Sequence, residues 1–213
     1  MKYRLIAFDL DGTLLDTLDD LTYAANASLM RYSLPSRTRE EIRAFIGDGI
    51  RMLMQRAAAP APYFDGLVDA FREEYALHCQ DKTAPYEGIV PLLDALREKG
   101  YQLAVLSNKA DFATKKLVKE YFSDYITVAV GENEGAGVRR KPAPDALLTV
   151  MENFGVRAEE TLYVGDSEID IQTANNAGVD CVSVLWGFKD KNFLRANGAK
   201  KTIAQPLQLL ELI

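Results

Sequence analysis

Five short apolar runs punctuate the chain: Leu5–Leu10, Leu103–Leu106, Ile126–Val130, Thr161–Val164 and Cys181–Leu185. They are continuous rather than alternating, the pattern of strands buried on both faces of a parallel sheet. Between the later runs the apolar spacing becomes helical. Ile89 to Lys99 stops at Gly100, a favoured helix C-terminus. A second helical pattern follows Pro144, with Leu147, Val150, Met151 and Phe154 on one face, and a third runs from Glu168 to Ala177 and stops at Gly178. Alternating strand and helix predict an α/β fold with a doubly wound parallel sheet.

One interval breaks this rhythm. Roughly ninety residues separate the first two runs, where a plain crossover needs about a dozen. The interval reads as all helix: Leu14, Leu18, Leu21, Ala25 and Leu29 keep helical spacing, as do Phe64, Leu67, Val68, Phe71 and Tyr75. The turn-like stretches "SLPSRT", "GDG" and "PAPY" divide it, and the chain returns through "DKTAPYEG". The expected organisation is a core formed by residues 1–14 and 82–213, with a helical domain of residues 15–81 inserted after the first strand. Two connections between the same two domains make a hinge.

Composition narrows the class. The 213 residues are 48% hydrophobic and 26% charged, an ordinary globular balance with enough apolar content for a sizeable core. The net charge is -6 and the pI about 5.0, with no basic patch to suggest a nucleic-acid partner. An acidic protein handling an anionic substrate needs a local positive source, a metal ion or a placed Lys or Arg. Cys79 and Cys181 are far apart and in no metal-like spacing. The apolar run after Lys2 and Arg4 is too short for a signal peptide, and no window reaches the length of a membrane span. These features predict a soluble, cytoplasmic protein with reduced thiols.

The chemistry gathers at strand ends. The first strand ends in Asp9, the second in Ser107-Asn108-Lys109 and the fourth in Gly165-Asp166-Ser167. Ligands of open α/β sheets bind outside the carboxyl ends of the strands. In "FDLDGTLLDT" two aspartates stand one residue apart. Such neighbours repel, which suits a division of labour: one carboxylate attacks while the other holds a proton for a leaving group. Gly12 permits a sharp turn there, and Thr13 offers a hydroxyl and an amide to an anion. In "VGDSEID", Asp166 and Asp170 are four residues apart and share one helix face. Together with Asp9 they call for a cation, and oxygen-seeking Mg²⁺ fits. Lys141, in "RRKPAPD", is a candidate to neutralise the carboxylates or a phosphate, and Ser107 and Asn108 are candidate donors to phosphate oxygens. His78 and Trp186 are expected to be structural, with Trp186 in the core.

The four motifs occur in a recognisable order. "DLDGTLLDT", Ser107, Lys141-Pro142 and "GDSEID" resemble the motifs of the haloacid dehalogenase-like hydrolase superfamily. "FIGDGIRMLMQRA", "PYEGIVPLLDALREKGYQLAVLSNK", "KPAPDALL" and "ETLYVGDSEIDIQTANNAGV" are similar to its phosphoglycolate phosphatase branch. The resemblance implies a Rossmann-like core with strand one flanked by strands two and four, and an all-helical cap domain closing over the site. It also implies roles. Asp9 is the nucleophile that forms an aspartyl-phosphate, and Asp11 the general acid and base. Mg²⁺ is held by Asp9, the Asp11 carbonyl and Asp166, with Asp170 in support. Ser107 and Lys141 bind the phosphoryl group.

The function implied is a Mg²⁺-dependent phosphatase acting on a small phosphorylated metabolite, phosphoglycolate or a similar ester, as a monomer or homodimer with no nucleic-acid or membrane partner. A dehalogenase is disfavoured by Asp11, the second aspartate its first motif typically lacks. A pyrophosphatase, a sugar or nucleotide phosphatase and a phosphomutase use the same acids and stay open. A non-catalytic binding protein on this fold is disfavoured because every acid and the lysine are present. In "GDGIRM", the glycines, the free helix N–H groups and Arg51 could receive a small carboxylate, although Asp48 adds negative charge there.

Overall fold

The structure, a computed structural model, describes residues 2–62, 64–133, 135 and 137–213. In chain order the strands are β1 (Leu5–Phe8), β2 (Leu15–Asp16), β3 (Ala84–Pro85), β4 (Gln102–Ala110), β5 (Val128–Glu132), β6 (Thr161–Gly165), β7 (Asp180–Val184) and β8 (Thr202–Ile203). The helices are α1 (Leu18–Arg31), α2 (Arg39–Phe45), α3 (Gly49–Ala58), α4 (Asp65–His78), α5 (Ile89–Glu98), α6 (Asp111–Phe122), α7 (Asp145–Phe154), α8 (Glu168–Ala177) and α9 (Lys191–Ala196). The chain divides into two compact units, Met1–Leu15 with Pro85–Ile213, and Asp16–Ala84.

The first unit is built on a six-stranded sheet in the order β5-β4-β1-β6-β7-β8, every pairing parallel. Its middle is apolar on both faces. All four β1 residues are buried, as the unbroken run Leu-Ile-Ala-Phe requires. Leu147, Val150 and Met151 of α7 pack with Leu5 and Ala7 of β1, Ala104 and Leu106 of β4, and Tyr163 of β6. Phe8 is in register with Val105 and Val164, so β1, β4 and β6 release their polar ends side by side.

Several boundaries differ from the sequence reading for local reasons. The first strand ends at Phe8 because the Leu10 carbonyl takes the amides of Thr13, Leu14 and Leu15 in a tight turn. The third long strand begins at Val128, since the amides of Tyr125 and Ile126 still bond the Phe122 carbonyl at the end of α6. Helix α6 itself carries its apolar stripe, Ala113, Leu117, Val118 and Phe122, among lysines that hide it in sequence. Strand β8 spans two residues, too short to register as an apolar run.

The second unit holds α1 to α4. Helix α2 starts at a capping box: the Glu41 amide donates to Thr38 Oγ1 at 3.1 Å, and the Thr38 amide to Glu41 Oε2 at 2.7 Å. Buried Asp20, in the first turn of α1, accepts from the amides of Lys82 and Thr83 and from the Thr83 hydroxyl. These bonds keep residues 82–83 with the helices, and this unit runs to Ala84. Tyr63, the last residue of the expected turn "PAPY", lies outside the described residues. His78 pairs with Asp81 at 2.7 Å and meets the edge of the Tyr23 ring.

Candidate active site

Every polar group of the candidate site described below lies in the first unit. Asp9 follows β1, and its amide donates to the Val164 carbonyl at 2.9 Å, which extends the β1–β6 ladder by one step. Gly12, at φ +81°, turns the chain directly afterwards, and a Cβ there would overlap the Asp166 carboxylate. Asp166 leaves β6 and accepts from the Phe188 amide at 2.6 Å. Ser167 caps α8. Its amide and hydroxyl donate to Asp170 Oδ2 at 3.0 and 2.6 Å, which turns the Asp170 carboxylate back toward the sheet.

Asp9, Asp166 and Asp170 are all buried, and each offers a carboxylate oxygen within 4.8 Å of the others. One lysine bridges them. Lys141 Nζ lies 2.8 Å from Asp9 Oδ1 and 2.7 Å from Asp170 Oδ1, and donates to the Tyr163 hydroxyl at 3.2 Å. Burial alone would lower the Lys141 pKa, but Asp170 and Asp9 outweigh it and hold the ammonium well above its ordinary value. Burial raises Asp9 to about 7. Lys141 opposes that rise, and Asp170 and Asp11 reinforce it. Burial also pushes Asp166 well up, helped by Asp170 and Asp9 and opposed by the Phe188 amide and Lys141. Three buried carboxylates against one lysine leave a surplus of negative charge. The donor set, all hard oxygens, suits a hard divalent cation.

Asp11 faces a different partner. Lys109 Nζ donates to Asp11 Oδ1 at 2.8 Å and to Oδ2 at 3.0 Å. Ser107 Oγ accepts the Lys109 amide at 3.2 Å, which leaves the hydroxyl proton available for donation.

The structure thus brings together Asp9, Asp11, Ser107, Lys141, Asp166 and Asp170. It gives three other sequence candidates different surroundings. Asn108, expected to donate to phosphate, spends its amide on the Lys141 backbone: Oδ1 accepts the Lys141 amide at 2.7 Å and Nδ2 donates to its carbonyl at 3.0 Å. Thr13, expected to offer an amide and a hydroxyl to an anion, donates its amide to the Leu10 carbonyl at 3.3 Å, and its side chain is fully buried. The Asn108 amide is thus taken by the loop that carries Lys141, and the Thr13 amide by its own turn, while the buried Thr13 hydroxyl has no hydrogen-bond partner among the described residues. Arg51, within the helical unit, pairs with Asp65 at 2.7 Å on an exposed surface, while Asp48 pairs with Arg56.

Other contributors carry no clear signal in the sequence. Lys109 is one residue of the polar tail "SNK", and Tyr163 is one more residue of an apolar strand. Trp186, expected in the core, is partly exposed and donates its indole N–H to the Thr13 carbonyl at 3.0 Å, which ties the loop after β7 to the turn after β1. In that loop a Cβ on Gly187 would overlap Asp166 and the Gly12 carbonyl, so glycine is what lets the loop approach. The one available signal was "WGF" directly after a strand.

Fold and carboxylate cluster together define a class, a hydrolase of phosphate esters on a parallel α/β sheet. Comparison with known proteins makes it more specific. The chain belongs to the haloacid dehalogenase-like hydrolase family, whose profile matches residues 6–184. It is 32% identical to the phosphoglycolate phosphatase of Aquifex aeolicus over 211 residues, covering 99% of this chain and 96% of that protein. It is 34% identical to phosphoglycolate phosphatase 1 of Pseudomonas aeruginosa, covering 87% of this chain and 70% of that one. Among solved structures, one assigned as a phosphoglycolate phosphatase from Lactobacillus delbrueckii subsp. bulgaricus is 37% identical. It covers 100% of this chain and 99% of its own, with a TM-score of 0.94. The protein is a phosphatase. Among the described residues no helix is long and apolar enough to cross a membrane.

Proposed function

We propose that this protein is a Mg²⁺-dependent phosphatase of the cytoplasm that hydrolyses a small phosphomonoester, phosphoglycolate foremost, through an aspartyl-phosphate on Asp9. The observation that carries the reading is the Lys141 ammonium set between Asp9 and Asp170 beside a third buried carboxylate, Asp166. Asp9, Asp166 and Asp170 would hold the ion with the Asp11 carbonyl, and when bound it offsets negative charge on the carboxylates and the transferring phosphoryl group.

The chain's own groups account for the rest. Asp9 Oδ attacks phosphorus, and the bond from phosphorus to the leaving oxygen breaks. Asp11 gives its proton to the departing alkoxide. Water then attacks the phosphorus of the aspartyl-phosphate, Asp11 takes a proton from that water, and the bond to Asp9 breaks to release phosphate and regenerate both carboxyl groups. Lys141 and the Ser107 hydroxyl donate to the phosphoryl oxygens as charge builds on them. Asn108 keeps Lys141 in place by its backbone. The helical unit, which the chain enters and leaves through β2 and β3, is the proposed cap domain.

The test is phosphate release across phosphoglycolate, sugar phosphates, nucleotides and pyrophosphate, with Mg²⁺ and with chelator. Wild type is expected to release phosphate only with the metal, and Asp9→Asn to lose at least about a thousandfold in rate. Release that survives in Asp9→Asn would end this mechanism.

A further inference from the structure

Lys109 is a second buried lysine at the site, and the reaction just described gives it no task. Its position is built from several sides. Its amide is held by Ser107 Oγ at 3.2 Å, its carbonyl accepts from the Thr114 hydroxyl at 3.2 Å, and its side chain, 4% exposed, lies on the Asp11 carboxylate, 14% exposed. A buried ammonium is tolerated when paired. The other buried lysine, Lys141, is committed to Asp9 and Asp170.

We infer that Lys109 is a specificity-determining residue for the leaving alcohol: the cation that receives an anionic group, a carboxylate foremost, carried one carbon away from the transferred phosphate. The inference rests on the phosphatase reading above. Asp11 must bring its carboxyl group to the leaving oxygen, so the first carbon of the alcohol starts beside Asp11. Lys109 Nζ is 2.8 and 3.0 Å from the two Asp11 oxygens. A carboxylate on that first carbon therefore falls within reach of the same ammonium, as a charge-assisted hydrogen bond. It shares or takes over the contact that Asp11 holds, and the Asp11 carboxyl is left to the leaving oxygen. The phosphate ester of a neutral alcohol presents nothing to Lys109, which then stays on Asp11. Arg51, the sequence candidate for such a carboxylate, is engaged with Asp65 and sits on a side chain 55% exposed, a weaker setting for selective charge recognition than a desolvated one.

The experiment compares kcat/KM for 2-phosphoglycolate and ethyl phosphate, which differ by a carboxylate in place of a methyl group. Wild type is expected to prefer 2-phosphoglycolate strongly, and Lys109→Met to cut the ratio of the two by at least about tenfold, the size of a lost charge-assisted bond. Lys109→Arg, which keeps the charge, is expected to retain most of the preference, and it carries the comparison if Lys109→Met does not fold. A ratio unchanged in Lys109→Met overturns the inference, as does a ratio lost equally in Lys109→Arg. A wild type that prefers ethyl phosphate or treats both alike overturns it too, with the phosphatase reading intact. Wild type that releases phosphate from neither ester, nor from any other in the panel, fails that reading itself.

Discussion

Asn108 grips the backbone of Lys141 from both sides, with Oδ1 on the amide and Nδ2 on the carbonyl, at 2.7 and 3.0 Å. The lysine comes from a loop, and loops position side chains poorly unless something rigid holds them. Here the rigid element is β4, a central strand, and the clamp transfers its order to the ammonium between Asp9 and Asp170.

Asn108→Ala removes both bonds and strands a buried amide and carbonyl. A loss of about 2–4 kcal/mol in stability is expected, together with a fall in kcat/KM of about a hundredfold as Lys141 drifts. Thermal melting and steady-state kinetics on the same samples decide the matter. Lowered activity at an unchanged melting temperature would return Asn108 to the role of a direct phosphate donor.

The carboxylate cluster makes the metal-free protein sensitive to pH in a particular direction. Asp9 is raised to about 7 and Asp166 is raised well above its ordinary value, both chiefly by burial. An unfolded aspartate titrates near about 3.9, so between there and about 7 the native state binds more protons than the unfolded one. This contribution to stability is full below about pH 4 and is lost as pH rises through 7, at up to ~1.4 kcal/mol per unit for each group. Glu41, Asp145, Glu160 and Asp180, all lowered by their backbone or cationic partners, act in the opposite sense, but their contributions are complete by about pH 5. With chelator, the melting temperature should fall from about pH 5 to about pH 7, and Asp9→Asn should flatten the slope. Mg²⁺ should raise the melting temperature more at the upper end of the range. A chelated protein that grows steadily more stable over the same range would contradict the charge balance derived for the site.

Much of the fold and most of this site could be read in the chain, for a physical reason. A parallel sheet buries both faces, so its strands appear as apolar runs, and its ligands gather at one edge, so the polar residues closing those runs name the site. Asp9, Ser107 and Asp166 each close such a run. Two kinds of feature leave no such mark in the chain. Helix α6 and strand β8 are masked by lysines or too short to show a period. Lys109, Tyr163 and Gly187, and the clamp that Asn108 forms in place of its expected phosphate contact, depend on contacts distant in sequence, such as Asn108 with Lys141 or Gly187 with Asp166. A polar residue at a strand end states that something binds there; which backbone or carboxylate it meets depends on the packing of other elements.

Gly187 offers the sharpest test of how far the proposed metal site depends on its surroundings. Its backbone does not adopt a left-handed conformation; what it supplies is space. A Cβ at this position would overlap Asp166 and the Gly12 carbonyl together. Neither neighbour yields easily, because Gly12 sits in a turn stitched by the Gly12 amide to the Leu15 carbonyl at 2.9 Å, and Asp166 is held by the Phe188 amide. The loop after β7 is itself fastened by Trp186 to the Thr13 carbonyl. Gly187→Ala should therefore displace the Asp166 carboxylate rather than open the loop harmlessly. A shift of about 1 Å there is expected to cost roughly a hundredfold in kcat/KM. The concentration of Mg²⁺ needed for half-maximal activity should rise with it, because the displaced group is one of the three acids. Asp166→Asn provides the comparison, losing the charge without the crowding. If Gly187→Ala keeps both its rate and its Mg²⁺ requirement, then Asp166 is not positioned by this loop, and its place beside Asp9 has to be credited to β6 alone.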